Sequence, residues 1–82
     1  MIRPTSVEVA PLIAAYYRKH GNEAGGNCHG VLDDGNLGDD SVWFCGSECA
    51  AAGDLDGCRI MFLFLGMRKT ARLKAIQKAK AL

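Results

Sequence analysis

A stretch rich in glycine, asparagine and aspartate divides the chain and constrains its fold more than any other feature. Thirteen of the twenty residues at positions 21–40 are Gly, Asn or Asp, and each Gly inside a helix would cost about 1 kcal/mol. Regular helices are therefore expected only on either side of this stretch. We interpret residues 21–40 as a long loop, with a short hairpin around the turn dipeptide Asp34-Gly35. Loops of this length in compact domains are often functional.

Apolar residues recur at helical spacing on both sides of the loop. Four helices are predicted, over about 7–20, 41–52, 54–66 and 70–81. The predicted fold class is therefore mainly α, a small three- to four-helix domain formed by residues 1–82. The apolar block 60–65 is also compatible with a buried strand, but the Asp before it and the Gly after it favour a helix.

Local signals set the predicted helix ends. Thr5 and Glu8 match a capping box in front of the first helix. Pro11 also permits a later start, with the residues before it as an irregular lead-in, because proline lacks a backbone donor and restricts the preceding residue. Gly53 is expected to end the second helix, Asp54 to cap the third and Thr70 to cap the fourth.

The large apolar residues are expected to form the core. We place it around five side chains: Tyr16, Phe44, Phe62, Leu63 and Leu65. A chain of 82 residues has little stability to spare, and leftover apolar surface commonly marks an interface. Homodimerisation through the apolar third helix is therefore a prediction.

Charge is distributed unevenly along the chain. Residues 1–56 hold all nine acids and three bases, a net charge of −6, whereas residues 57–82 hold seven bases and no acid, a net charge of +7. Either the two halves pair with each other, or they present a charged surface to a partner. The predicted partner-binding residues are Arg68, Lys69, Arg72, Lys74, Lys78, His29, Asp33, Asp34 and Asn36. Lys and Arg suffice for phosphate contacts, so direct nucleic-acid contact is an alternative to a protein partner.

Four cysteines and two histidines supply enough ligands for a tetrahedral zinc ion. Such a site would use Cys45, Cys49, Cys58 and either His29 or Cys28. Only one cysteine pair is close in sequence, which favours buried cysteines without a metal, so no cofactor is expected. A disulfide framework is disfavoured because nothing in the sequence indicates an oxidising compartment.

No catalytic residue is predicted. His29 beside Asp33 and Asp34 has the composition of a general base or a metal site, but Asp in a Gly-rich turn is more simply explained by hydrogen bonds to the local backbone. No nucleophile lies in a recognisable local signature. The chain is therefore predicted not to be an enzyme, with a small His/Asp-based enzyme as the alternative.

The chain shows neither a membrane span nor a secretion signal. Its longest apolar run, 60–65, is far shorter than the roughly 20 residues that cross a bilayer. No apolar segment of signal-peptide length follows Met1. We expect a cytoplasmic protein with no membrane partner.

A string within the loop resembles a known family. Residues 25–36 read Gly-Gly-Asn-Cys-His-Gly-Val-Leu-Asp-Asp-Gly-Asn. The resemblance also includes the flanking positions Tyr16, Tyr17, Val42, Phe44, Cys45 and 67–70. Over residues 10–73 the chain is similar to a family of small bacteriophage and prophage accessory proteins with a GGN-x-H-x-VLDDGN motif. Cys28 and Gly30 depart from the family pattern, which has an apolar residue and a bulkier residue at these positions, and the first departure weakens any zinc site that depends on Cys28.

The resemblance implies a phage product that acts in the cytoplasm of a bacterial host cell, and it implies no catalytic residue or cofactor. Small phage accessory proteins include inhibitors of host defence such as anti-CRISPR proteins. The predicted function is therefore an interaction module that binds a host protein or protein–nucleic-acid complex without catalysis. The alternatives are a small zinc-binding module and a nucleic-acid-binding regulator that uses the basic C-terminal helix.

Overall fold

The computed structural model describes residues 3–20 and 39–82, with the backbone alone described for 39–41 and 43–45. These residues form four α-helices and no strand: α1 (Ser6–His20), α2 (Asp39–Ala51), α3 (Leu55–Leu65) and α4 (Lys69–Lys80). The prediction of a small, mainly α fold is confirmed, and the apolar block 60–65 is helical. The predicted hairpin lies in residues 21–38, outside the described part of the chain.

The first helix begins before its proline. Thr5 Oγ1 accepts a hydrogen bond from the backbone N–H of Glu8 at 3.3 Å, which is the hydroxyl half of the predicted capping box. The helix starts at Ser6 and contains Pro11, so the interpretation of an irregular lead-in before Pro11 is wrong. Val9 explains the difference, because its side chain is 1% exposed and its burial offsets the hydrogen bond that proline cannot donate.

The turn between α2 and α3 follows the sequence signals. Gly53 has a φ of +78°, in the left-handed region that glycine adopts without a steric cost. Asp54 caps α3, since its Oδ1 accepts a hydrogen bond from the backbone N–H of Gly57 at 3.0 Å. The predicted cap at Asp54 is therefore confirmed.

The start of α4 differs from the prediction. The helix begins at Lys69, and Arg68 occupies the N-cap position with no side-chain capping hydrogen bond. Thr70 lies inside the helix, so the prediction that Thr70 caps it is wrong. Packing explains the earlier start: Arg72, one turn after Arg68, is buried and its backbone N–H bonds to the Arg68 carbonyl at 3.0 Å.

The helices pack as two pairs, α1 against α4 and α2 against α3, and α1 also contacts α3. The largest fully buried side chains are Val9, Ile13, Tyr16, Val42, Cys49, Ile60, Met61, Phe64 and Ile76. Tyr16 is thus in the core, as predicted, whereas Leu63 and Leu65 are only partly buried. The side chain of Phe44 lies outside the described residues.

Phe62 is not a core residue. Its side chain is 71% exposed, so the prediction that places it in the core is wrong. Successive residues of a helix are about 100° apart, and the inward positions of α3 are occupied by Met61 and Phe64, both fully buried. Phe62 consequently projects from the opposite side of the helix.

Candidate functional site

The basic residues of α4 lie on its outer surface, with one exception. Ala75, Ile76 and Ala79 are buried at 4% exposure or less, and α4 packs against α1. Because a helix repeats every 3.6 residues, this inward stripe leaves Lys74 and Lys78 one turn apart on the exposed side. Lys69, Lys80 and the preceding Arg68 are exposed as well. We call the exposed cations Arg68, Lys69, Lys74, Lys78 and Lys80 the basic face.

Arg72 is the exception. Its side chain is 3% exposed, and its Nε donates a hydrogen bond to the backbone carbonyl of Phe64 at 2.9 Å. The prediction that Arg72 contacts a partner therefore does not agree with the structure. Helical periodicity places residue 72 on the same inward side as Ala75 and Ile76, and a long side chain can bury its stem while its head finds an acceptor. Arg72 holds α4 against the end of α3.

The acids of the described residues do not neutralise the basic face. Lys19 of α1 forms an ion pair with Asp56, its Nζ 2.9 Å from the carboxylate Oδ2. The hydrogen bond from Lys19 lowers the pKa of Asp56, and the carboxylate in turn raises the pKa of Lys19. Among the residues that the structure describes, the side chains of Lys74 and Lys78 form no ion pair or hydrogen bond. Within this part of the chain, the positive charge of α4 remains available to a partner.

One end of the basic face borders a shallow depression of about 250 Å³. Arg3, Pro4, Gly66 and Arg68 are among its lining residues. Residues 3 and 4 lie close against the turn before α4, since a Cβ placed on Gly66 would be 3.2 Å from Cδ of Pro4. The exposed side chain of Arg3 therefore extends the basic face beyond α4.

The predicted site residues of the loop cannot be placed. His29, Asp33, Asp34 and Asn36 lie in residues 21–38, outside the described part of the chain. Their proposed contact with a partner stays a prediction.

The two cysteines whose side chains are described differ in oxidation state. Cys49 is fully buried and is disulfide-bonded, whereas Cys58 is free and partly buried. The sequence analysis disfavours a disulfide framework, and the bond at Cys49 does not agree with that expectation. Arguments from compartment concern the persistence of a disulfide and do not tell whether a fold brings two sulfurs together. A sulfur in a disulfide is not a thiolate donor, so the conditional zinc set loses Cys49 in this state. The side chains of Cys28 and Cys45 lie outside the described residues.

Among the described residues, no group of three His, Cys, Asp or Glu side chains is placed to hold a metal ion. The zinc hypothesis thus receives no geometric support from this part of the chain. Native mass spectrometry of the purified protein is the direct test, because a bound zinc ion adds its mass to that of the polypeptide.

A polar cluster that the sequence analysis missed joins α1 to the start of α3. The hydroxyl of Tyr16 donates to Oδ2 of Asp54 at 2.8 Å, while Oδ1 of the same carboxylate caps α3. The ring of His20 stacks on Tyr16 with centroids 4.3 Å apart, and His20 Nε2 lies 3.9 Å from Asp54 Oδ1. The spacing of Tyr16 and His20, one helical turn apart, was the available signal, but Asp54 lies 38 residues away from Tyr16.

The hydrogen bonds of this cluster join two helices. Burial, reinforced by the hydrogen bond to Asp54, raises the pKa of Tyr16, so the phenol stays protonated at neutral pH and acts as a donor. The carboxylate of Asp54 is engaged by Tyr16 and by the backbone N–H of Gly57. These contacts fix α1 against the start of α3.

An apolar groove separates α2 from α3. Its floor includes the small residues Gly46 and Ala50, and Cys58, Phe62 and Leu65 line its other side. Leu55 and Phe62, both on α3, are 78% and 71% exposed.

In the described part of the chain, no helix has the length and apolar character that a membrane span requires. No protein-family model, curated protein sequence or solved structure matches the chain.

Proposed function

We propose that this chain is a phage-encoded interaction module that acts on a host macromolecule without catalysis, and that the basic face of α4 makes the contact. The observation that carries the proposal is the separation of roles within α4. Its apolar residues and Arg72 hold the helix to the rest of the fold, while Lys74 and Lys78 point outward with no partner among the described residues. Unpaired cations of this kind attract an acidic surface.

We propose the cytoplasm of a bacterial host as the place where the module acts, on the basis of the resemblance of residues 25–36 to phage accessory proteins. Inhibition of a host defence system, as by anti-CRISPR proteins, is the specific role that we propose within this class. A cationic surface on a small helical scaffold suits such a role, because it can engage an acidic host macromolecule by charge and needs no chemistry of its own.

A pull-down from bacterial lysate tests the proposal with matched variants. The double variant Lys74→Glu/Lys78→Glu should lose the captured partner, whereas Arg18→Glu/Arg59→Glu should retain it. Both variants change the net charge by the same amount, and all four residues are exposed. Far-UV circular dichroism should show that both are folded. Equal capture by the two variants would show that the basic face does not bind the partner.

Self-association is a second proposal, and the exposure of Leu55 and Phe62 favours it. Two apolar side chains on one face of α3 would be covered if a second copy packed there. Light scattering across a range of protein concentrations should show dimers for the native chain and monomers for Phe62→Ser. A native chain that stays monomeric at millimolar concentration would exclude this assembly.

A further inference from the structure

We propose that the partner of the basic face is the sugar–phosphate backbone of double-stranded nucleic acid, bound without regard to sequence. The inference rests on the proposed function and names the chemistry of its partner. Its grounds are the spacing of the exposed cations, the side chains that surround them, and the burial of the apolar side of α4.

The spacing of Lys74 and Lys78 along α4 is close to that of alternate phosphates in one strand of a duplex. A helix rises about 1.5 Å per residue, so Lys74 and Lys78 lie about 6 Å apart along α4. The five cations of the basic face occupy positions 68–80, about 18 Å of helix axis. At about 100° per residue, Lys74 and Lys78 lie on one flank of the exposed surface, and Lys69 and Lys80 lie on the other. Each strand of a duplex presents one phosphate per roughly 3.4 Å of helix axis. Arg3 and Arg68 add two further cations at the shallow depression before α4.

The composition of the face favours backbone contact over base recognition. Residues 57–82 contain no acid that would repel a phosphate, and residues 66–82 contain no aromatic side chain. Binding of single strands usually depends on aromatic side chains that stack on bases. Four of the five cations are lysines, which act as point charges toward phosphate rather than as the planar forks that read guanine.

The packing of α4 disfavours insertion into an anionic membrane. A helix that binds at a lipid interface inserts its apolar side between the headgroups. In this fold that side is occupied, because Ala75, Ile76 and Ala79 are buried against the rest of the protein. The exposed side offers only Leu73, at 36% exposure.

The same scarcity of apolar side chains disfavours a protein partner at this face. Protein interfaces derive most of their affinity from a few buried aromatic or apolar anchors. Within α4 the residues that precede Lys74 and Lys78 in sequence are the exposed Leu73 and Gln77, and neither is an aromatic anchor. A phosphate backbone needs charge alone, and this surface supplies it.

Fluorescence anisotropy with labelled 20-base-pair DNA duplexes of two unrelated sequences tests the inference. Both duplexes should bind equally, and the affinity should fall on the order of 100-fold between 50 and 200 mM salt if about four phosphates are contacted. Lys74→Gln and Lys78→Gln should each make the slope of log affinity against log salt shallower by about 0.9. Arg18→Gln and Arg59→Gln each remove one exposed positive charge outside the basic face and should leave the slope unchanged.

Several results would overturn the inference. One is a slope of log affinity against log salt that is the same in Lys74→Gln and Lys78→Gln as in the native chain. A second is tighter binding to a single strand than to the duplex. A third is binding to phosphatidylserine vesicles without binding to DNA. A nuclease-treated lysate separates this failure from failure of the proposed function. Suppose that the wild-type chain captures a protein from this lysate, that Lys74→Glu/Lys78→Glu does not, and that the wild-type chain does not bind the DNA duplex. The nucleic-acid inference is then wrong, while the proposal of an interaction module stands. If the double variant captures that protein as well as wild type does, the proposed function is wrong.

Discussion

Arg72 belongs to the most basic segment of the chain, yet its structure indicates a role in stability. Its Nε donates to the Phe64 carbonyl at 2.9 Å inside the protein. Phe64 lies in the last turn of α3, where carbonyls lack partners within the helix and the helix dipole favours a positive charge. We expect that Arg72→Met, which keeps an apolar stem and removes the donor and the charge, destabilises the fold.

The size of the effect follows from these contacts. A hydrogen bond from a charged group contributes about 1.5–3 kcal/mol, and the charge at the helix end adds about 0.5 kcal/mol. Two features reduce the loss: the backbone N–H of Met67 also donates to the Phe64 carbonyl at 3.0 Å, and the variant no longer has to bury a charge. We therefore expect the free energy of unfolding to fall by about 2 kcal/mol. For a domain of this size, that loss lowers the melting temperature by about 8–16 °C.

Urea denaturation followed by circular dichroism at 222 nm measures this loss. Lys74→Met is the matched control, because it removes the same charge from an exposed position of the same helix and should change the free energy by less than about 0.5 kcal/mol. If Arg72→Met unfolds at the same urea concentration as the control, the buried hydrogen bond does not stabilise the fold and our reasoning is wrong.

Three further outcomes follow from the described contacts. Burial and the hydrogen bond to Asp54 raise the pKa of Tyr16, so the native state retains a proton that the unfolded state releases, and the free energy of unfolding should fall as the pH rises above about 10. In Tyr17→Phe, where Tyr16 is the sole tyrosine, absorbance at 295 nm should rise only as the chain unfolds. A rise in absorbance while circular dichroism remains native would contradict this prediction. Cys49 is disulfide-bonded and the chain has four cysteines, so alkylation of the denatured, unreduced chain should add two alkyl groups by mass spectrometry. Alkylation after reduction should add four. Four alkyl groups without reduction would exclude the disulfide. Gly53→Ala places a Cβ on a residue with φ of +78° and should lower the free energy of unfolding by about 1–2 kcal/mol. Equal urea midpoints for this variant and the native chain would refute the prediction.

The features that could be predicted from the sequence are those set by neighbouring residues. The cap at Asp54 and the turn at Gly53 depend on side-chain and backbone properties within three residues of each other. The same holds for the hydrogen bond from Glu8 to Thr5. Contacts between residues that are close in sequence can be predicted from the sequence alone, and they are sufficient to predict the mainly α fold.

The features that could not be predicted depend on which side of a helix meets another element. Phe62 and Phe64 are chemically identical, and only the packing of α3 against its neighbours makes one exposed and the other buried. The hydrogen bond between Tyr16 and Asp54 spans 38 residues. The sequence groups Arg72 with its basic neighbours, because it shows a cation but not the carbonyl that this cation reaches.

The distinction between Arg72 and the basic face decides how binding can be studied in this protein. Lys74 and Lys78 make no hydrogen bond or ion pair in the described part of the chain, so their replacement should alter the surface without altering the fold. Arg72 has the opposite character, since its loss should affect stability and leave the exposed charge intact. A variant series that treated the basic segment as one unit would therefore confuse unfolding with loss of binding. Separate replacement of the inward and outward cations assigns each effect to its own cause.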